Sequence, residues 1–185
     1  MLALLRPVLV FLGGFTLLVG VVVPLAFTAL AGAVFPHEAG GSLVRDGRRV
    51  IGSDLIAQRF EGPEWFHPRA SAAGADGFDA TSSGASNLGA TSAPLLVDVQ
   101  TRIAASGIAA PVPADAVTAS GSGLDPHLSP AAAQAQVARV AAARGLEEAR
   151  VAALVAEHTE RRLLGLLGEP RVNVLRLNRA LAQLF

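Results

Sequence analysis

From Pro7 to Phe35 the chain carries no charged side chain, and Val8 to Leu30 is almost wholly apolar. About 23 residues rising 1.5 Å each make a helix of roughly 34 Å, enough to cross a hydrocarbon core of about 30 Å. A soluble core helix of that length needs an apolar surround, which the rest of a 185-residue chain can hardly supply. The rival reading is a cleaved signal peptide, with Arg6 as its basic region and Ala29-Leu30-Ala31 before Gly32 as a small-x-small cleavage site. The apolar run exceeds the usual signal core of about 7–15 residues, so a retained membrane helix is expected. This divides the chain into an anchor over 1–36 with its core at 8–30, a polar connector over 37–49, and a soluble domain over 50–185.

Arg6 and the terminal amine on the short side favour a cytoplasmic N-terminus and an extracytoplasmic domain. Arg45, Arg48 and Arg49 pull the other way, but long domains cross largely regardless of charge. Within the helix, Thr16 and Gly20 form a small-xxx-small pair with Gly13 ahead of them, a spacing that lets a second helix approach closely.

Composition removes several function classes. The 15 basic residues, all arginine, balance 15 acidic ones. Without lysine there is neither a P-loop lysine nor a Schiff-base lysine. A neutral chain with no basic stripe is a poor nucleic-acid binder. Cysteine is absent, which excludes disulfides and thiolate chemistry, and the 4 histidines lack zinc-type spacing, so no metal site is expected. A single apolar span cannot by itself form an ion conduit.

The soluble part reads as α/β or α+β, with helix predominating. Ser53 suggests an N-cap for a short helix carrying Leu55, Ile56 and Phe60. Residues 62–93 show no period, yet Trp65 and Phe66 imply docking onto the body. Leu95, Leu96, Val99 and Ile103 predict a helix over 94–106 stopped by Gly107. Ile108 to Val117, interrupted by Pro111 and Pro113, suits an edge strand or extended segment. Ser129-Pro130 starts a helix expected to run to Arg144 and stop at Gly145. Another begins near Glu147-Glu148, buries Val151, Leu154 and Val155, and has Arg161 and Arg162 near its close. A short strand over Val172–Leu175 and a final helix from Arg176 to Phe185 complete the prediction.

The conspicuous chemistry lies in Thr118-Ala119-Ser120-Gly121-Ser122-Gly123-Leu124-Asp125-Pro126. Its glycines free the backbone to turn, leaving amides and hydroxyls to face an anion or a partner. Ser120 or Ser122 with Asp125 and His127 raises a membrane-anchored periplasmic serine hydrolase as one alternative, and an anion-binding module as another. No G-x-S-x-G elbow is present, and turn chemistry alone accounts for these residue types. No catalytic residue is therefore assigned. A second turn-forming cluster includes Ser86 and Asn87, preceded by Arg69, which could pair with an acid or pin the structure.

Taken in order, these motifs resemble the C chain of the Kdp potassium-transporting ATPase. The resemblance runs through the N-terminal helix, Gly52-Ser53 with Leu55-Ile56, Gln58 and Phe60, and Trp65-Phe66-His67-Pro68-Arg69. It continues through Ser86-Asn87-Leu88-Gly89, Thr118 to Pro126 with Ser129-Pro130, and Gly168-Glu169-Pro170-Arg171-Val172-Asn173-Val174-Leu175 with Leu177-Asn178. The family's Gly-Gly-Ser-Asn reads Gly84-Ala85-Ser86-Asn87 here, and its Gly-Pro-Thr-Asn reads Gly89-Ala90-Thr91-Ser92, without the asparagine. The resemblance implies a non-catalytic accessory subunit of an ATP-driven potassium importer in the bacterial inner membrane. Its partners would be a potassium-channel-like A chain and a P-type ATPase B chain, with lipid around the helix. It also implies a catalytic chaperone that raises the pump chain's ATP affinity, ATP being shared with that chain. Gln58, Arg69, Ser86, Asn87, Ser120, Gly121, Ser122, Gly123 and Asp125 are the candidate ligand- or partner-binding positions.

Overall fold

The computed structural model describes residues 2–184 and divides into two compact units, the first ending at Leu43 and the second beginning at Val44. In the first, α1 (Leu2–Leu17) and α2 (Val23–Val34) are joined through a π-helical turn, Leu18–Val22. Pro24 has no amide to return to Gly20, and its ring would press on that carbonyl, so a regular α-turn is disfavoured there. The chain widens instead, and the Val23 amide donates to the Leu18 carbonyl five residues back. Thr28 Oγ1 donates to the Pro24 carbonyl at 2.8 Å. The apolar stretch Leu4–Val34 is 31 residues long with mean hydropathy 2.6, and its most apolar window is fully exposed. Its helical length is about 46 Å, more than a bilayer core requires. Gly13 and Thr16 lie in α1 and Gly20 in the π turn. A Cβ added at Gly13 or Gly20 would meet open space. The polar segment that follows carries α3 (Pro36–Ala39) and a hairpin of β1 (Leu43–Asp46) and β2 (Arg49–Ser53).

The second unit is mixed α/β and helix-rich, as expected. Its remaining elements are α4 (Ala93–Ser106), α5 (Ala114–Val117), β3 (His127–Leu128), α6 (Pro130–Ala135) and α7 (Val137–Arg144). They continue with α8 (Glu148–Glu157), β4 (Thr159–Glu160), β5 (Arg171–Asn173) and α9 (Val174–Ala182). The three short strands form an antiparallel sheet in the order β3-β5-β4, with Leu128 and Thr159 both opposite Val172. α6 to α9 pack a core of small and branched side chains, Ala132, Val137, Val140, Val151, Val155, Leu177 and Leu181 among them. Phe66 is fully buried in it, so the aperiodic segment does dock onto the body.

Local signals account for several boundaries. Ser129 caps α6, its hydroxyl accepting from the Ala132 amide at 3.0 Å with Pro130 in the first turn. Gly107 and Gly145 end α4 and α7 in the left-handed conformation, at φ 65° and 64°. Asn173 caps α9 by accepting from the Arg176 amide at 3.1 Å.

Other expectations need correction. Ser53 starts no helix; it ends β2, because Gln58 and Leu124 claim the backbone on either side of it. The Gln58 carboxamide donates to Ile51 O at 2.8 Å and accepts from the Ser53 amide at 3.2 Å, and the Ala57 amide reaches Leu124 O at 2.8 Å. The 108–117 segment is not a strand; Pro111 and Pro113 keep its first part irregular, and 114–117 form α5. The helix expected over 130–144 is interrupted at Gln136, whose side chain is committed elsewhere. Arg161 and Arg162 lie beyond α8, which ends where His158 Nδ1 and Thr159 Oγ1 bond the Leu154 and Val155 carbonyls at 2.9 and 2.7 Å. The predicted strand at Val172–Leu175 is shorter and earlier, because the Asn173 cap starts α9 at Val174. Phe185, assigned to that last helix, lies outside the described residues. α4 forms where expected but buries no residue fully, and Leu96 and Ile103 stay exposed.

Candidate functional site

The segment Thr118–Pro126 is a hub onto which three distant stretches are fastened. The Ser120 amide donates to Ala70 O at 2.9 Å, and the Gly84 amide to Ser122 O at 2.9 Å. Ser71 Oγ donates to Gly123 O at 2.6 Å while accepting from the Phe78 amide at 2.8 Å. Ser83 Oγ donates to Ser122 O at 2.9 Å. Gly123, at φ 70°, is required twice over: a Cβ there would stand 2.7 Å from Ala73 N and from Gly84 O.

The polar side chains of the hub serve it from within. Ser122 Oγ accepts from the Leu124 amide at 3.1 Å and Ser120 Oγ from the Asp125 amide at 3.3 Å, and the two hydroxyls lie 3.2 Å apart. Ser120 is only 2% exposed. Among the described residues, neither hydroxyl is hydrogen-bonded to the His127 ring. Asp125 Oδ1 instead accepts from the His127 amide at 3.0 Å and faces Nδ1 at 3.3 Å. The bond from His127 holds the Asp125 carboxyl below its ordinary value, against the opposing effect of burial, with Arg69 adding a smaller push.

Arg69 acts as a pin. Its Nη2 donates to Ala119 O at 3.1 Å and to Thr118 Oγ1 at 3.3 Å, while Nη1 lies 3.5 Å from Asp125 Oδ2. Its buried Nε has no partner among the described residues. Beside it opens a cleft of about 360 Å³ lined in part by Arg69, Asp115, Asp125, His127, Glu169 and Arg171. Asp115 accepts from both the amide and hydroxyl of Ser129, at 2.7 and 3.0 Å. The cleft's charges are thus largely matched internally.

The structure brings Arg69, Ser120, Ser122, Gly123 and Asp125 together. Gly121 is exposed on the same turn. Ser86 and Asn87 are exposed beyond the Gly84 attachment, Asn87 at φ 53°, and Gln58 is spent on β2. Among the described residues, no group of His, Cys, Asp or Glu could hold a metal ion.

Sequence reasoning missed a second constellation that grips residues 63–67. Asn178, 1% exposed, accepts from the Phe66 amide and donates to the Phe66 carbonyl, both at 2.9 Å. Gln136 does the same for His67, at 2.8 and 3.0 Å. Two carboxamides thus imitate a strand partner for consecutive residues. Arg139 donates to Pro63 O at 2.6 Å and Trp65 O at 3.0 Å, and Arg144 donates to Glu64 O at 2.7 Å with its guanidinium 4.3 Å from the Trp65 ring centre. Burial holds Arg139 below its ordinary value. A signal existed: Gln136 and Asn178 are polar residues on the apolar stripes of Ala132, Ala133, Val137 and Val140, and of Val174, Leu177 and Leu181.

Comparison with known proteins gives a family model described as K+-transporting ATPase, c chain, matching residues 5–183. The chain is 57% identical over 190 residues to the potassium-transporting ATPase KdpC subunit of Rhodospirillum rubrum, covering 100% of this chain and 98% of that one. It is 56% identical over 186 residues to the protein of the same name from Sorangium cellulosum, covering 98% of each. The KdpC subunit of Kineococcus radiotolerans is 59% identical over 167 residues, 88% of this chain and 84% of its own length.

Proposed function

The chain belongs to the c-chain family of potassium-transporting ATPases, and from that premise we propose that it is a non-catalytic accessory subunit that steadies a potassium-import complex. The relationship over nearly the whole length carries this reading, since anchor and domain are matched together in one order. The internal use of Ser120, Ser122 and Asp125 supports a scaffold over a hydrolase, because a nucleophilic serine needs a base within hydrogen-bond reach.

The partners in this reading are a channel-like chain that carries potassium and a P-type chain that hydrolyses ATP. The helix crosses with Arg6 on the cytoplasmic side, and the domain beginning near Val44 is extracytoplasmic. It then lies across the membrane from ATP. The subunit raises the pump chain's ATP affinity through its packing against partner chains rather than by holding the nucleotide. Gln58, Arg69 and the Ser120–Asp125 hub serve this role by fixing the domain's shape, with the exposed Ser86, Asn87 and Gly121 as the positions open to a partner.

The test is purification of the tagged full chain from gently solubilised native membranes, followed by ATPase measurements with and without it. Co-purification of multi-span partners, together with a higher KM for ATP when the chain is omitted, is the expected outcome. Recovery as a lone monomer, or an unchanged KM, would overturn the reading.

A further inference from the structure

Between β4 and β5 the chain makes a tight turn through Leu163-Leu164-Gly165-Leu166-Leu167. The four leucines are 66%, 85%, 80% and 62% exposed, more than any other apolar cluster of the second unit. Aliphatic side chains left in water on every side of a protruding turn are unfavourable unless something covers them.

We propose that this tip dips into the interfacial layer of the lipid bilayer that the N-terminal helix crosses. Four of the five amides of 163–167 are bonded within the turn or to its base. The Leu163 amide donates to Leu167 O at 2.9 Å, Gly165 to Arg162 O at 3.0 Å, and Leu166 and Leu167 to Leu163 O at 3.1 and 3.0 Å. Lipid cannot satisfy backbone amides, so a segment entering it must bond its own. Leu164 and Gly165 make this closure possible through positive φ, 53° and 73°. The side-chain chemistry points the same way. Leucine is under-represented among the residues that anchor protein interfaces, and a turn that is apolar all round suits a medium that surrounds it rather than a groove that covers one face.

At the base stand Arg161, Arg162 and Arg171, against Glu160 and Glu169. Arg162 pairs with Glu169, and Arg171 with Glu160 at 2.9 Å. Arginines at this level can reach phosphate headgroups while their stems cover apolar surface. A membrane is at hand in the same chain, since the apolar helix ends at Val34, ten residues before the second unit begins.

The test uses the full cysteine-free chain in nanodiscs of phosphatidylcholine and phosphatidylglycerol. Leu164→Cys and Leu166→Cys variants carry an environment-sensitive fluorophore, with Ser82→Cys, on an exposed loop, as control. With the chain alone, the tip probes should shift to the blue and be quenched by nitroxide-labelled lipid, and the control should do neither. Unlabelled tip cysteines should also react more slowly than Cys at position 82 with a water-soluble maleimide, a reading free of any effect of the dye. Tip probes as wet as the control would overturn the proposal. So would protection that appears only when the partner subunits are added, which would place the tip in a protein groove.

Discussion

Asn178 shows how much one side chain can decide. Its carboxamide satisfies both backbone groups of Phe66, so the bulkiest fully buried residue enters the core with no unpaired amide behind it. Replacing it with alanine leaves a buried donor and a buried acceptor without partners, each costing about 1–3 kcal/mol. Asn178→Ala is therefore expected to destabilise the domain by roughly 3 kcal/mol, read as a lower urea midpoint with unchanged slope. His67, next in the chain, makes the fold sensitive to pH. Burial lowers its imidazole below the usual 6.5 and outweighs the Gly62 carbonyl, which lies 2.8 Å from Nε2 and favours the charged form. The folded chain then binds the proton less readily than the unfolded one. The His67 contribution is complete above the unfolded value and is lost as pH falls below it toward the lower folded value. The unfolding temperature should drop as pH falls below about 6.5, and a His67→Gln variant should show a shallower drop; an identical slope would exclude His67 as the cause.

At the scale of elements, the chain shows helices built by local rules and then cut by tertiary ones. Ser129-Pro130 and Gly145 bound the 130–144 region as their chemistry dictates. The break at Gln136 has no breaker residue, and it falls where that side chain leaves to clasp His67. In the membrane helix the interruption is local instead, since Pro24 imposes a π turn that includes Gly20. Small residues on such a helix let a neighbour approach closely. A Cβ added at Gly20 meets open space, so in the isolated chain Gly20→Leu should leave unfolding as before. Its yield of co-purified partner subunits should nevertheless fall, and an undiminished yield would show that Thr16 and Gly20 are not a packing face.

The whole molecule joins an exposed apolar helix to a domain in which Arg69, Arg102, Arg162, Arg171 and Arg176 pair with acids of the same domain. Its orientation is the claim on which the indirect route to ATP depends. A cysteine replacing exposed Arg48, just past the membrane segment, should react with an impermeant maleimide added to intact spheroplasts. Reaction only after the cells are opened would place the domain in the cytoplasm and restore direct nucleotide contact. The hub at Thr118–Pro126 was visible in the sequence as a run of turn-forming residues. What it holds was not, because Ala57, Ala70, Ser71 and Gly84 come to it from remote positions.

The sequence by itself determined the membrane helix, since a long uncharged apolar run has few other ways to exclude water. It also determined the helix caps, whose donors and acceptors lie within a few residues of each other. Only the tertiary structure decided the path of residues 54–92, which form no regular helix or strand. There the backbone finds its partners in Gln136, Arg139, Asn178 and the hub, many dozens of residues away. Hydrogen bonds across such separations leave no periodic trace, so the fold had to be seen before the purpose of those side chains could be.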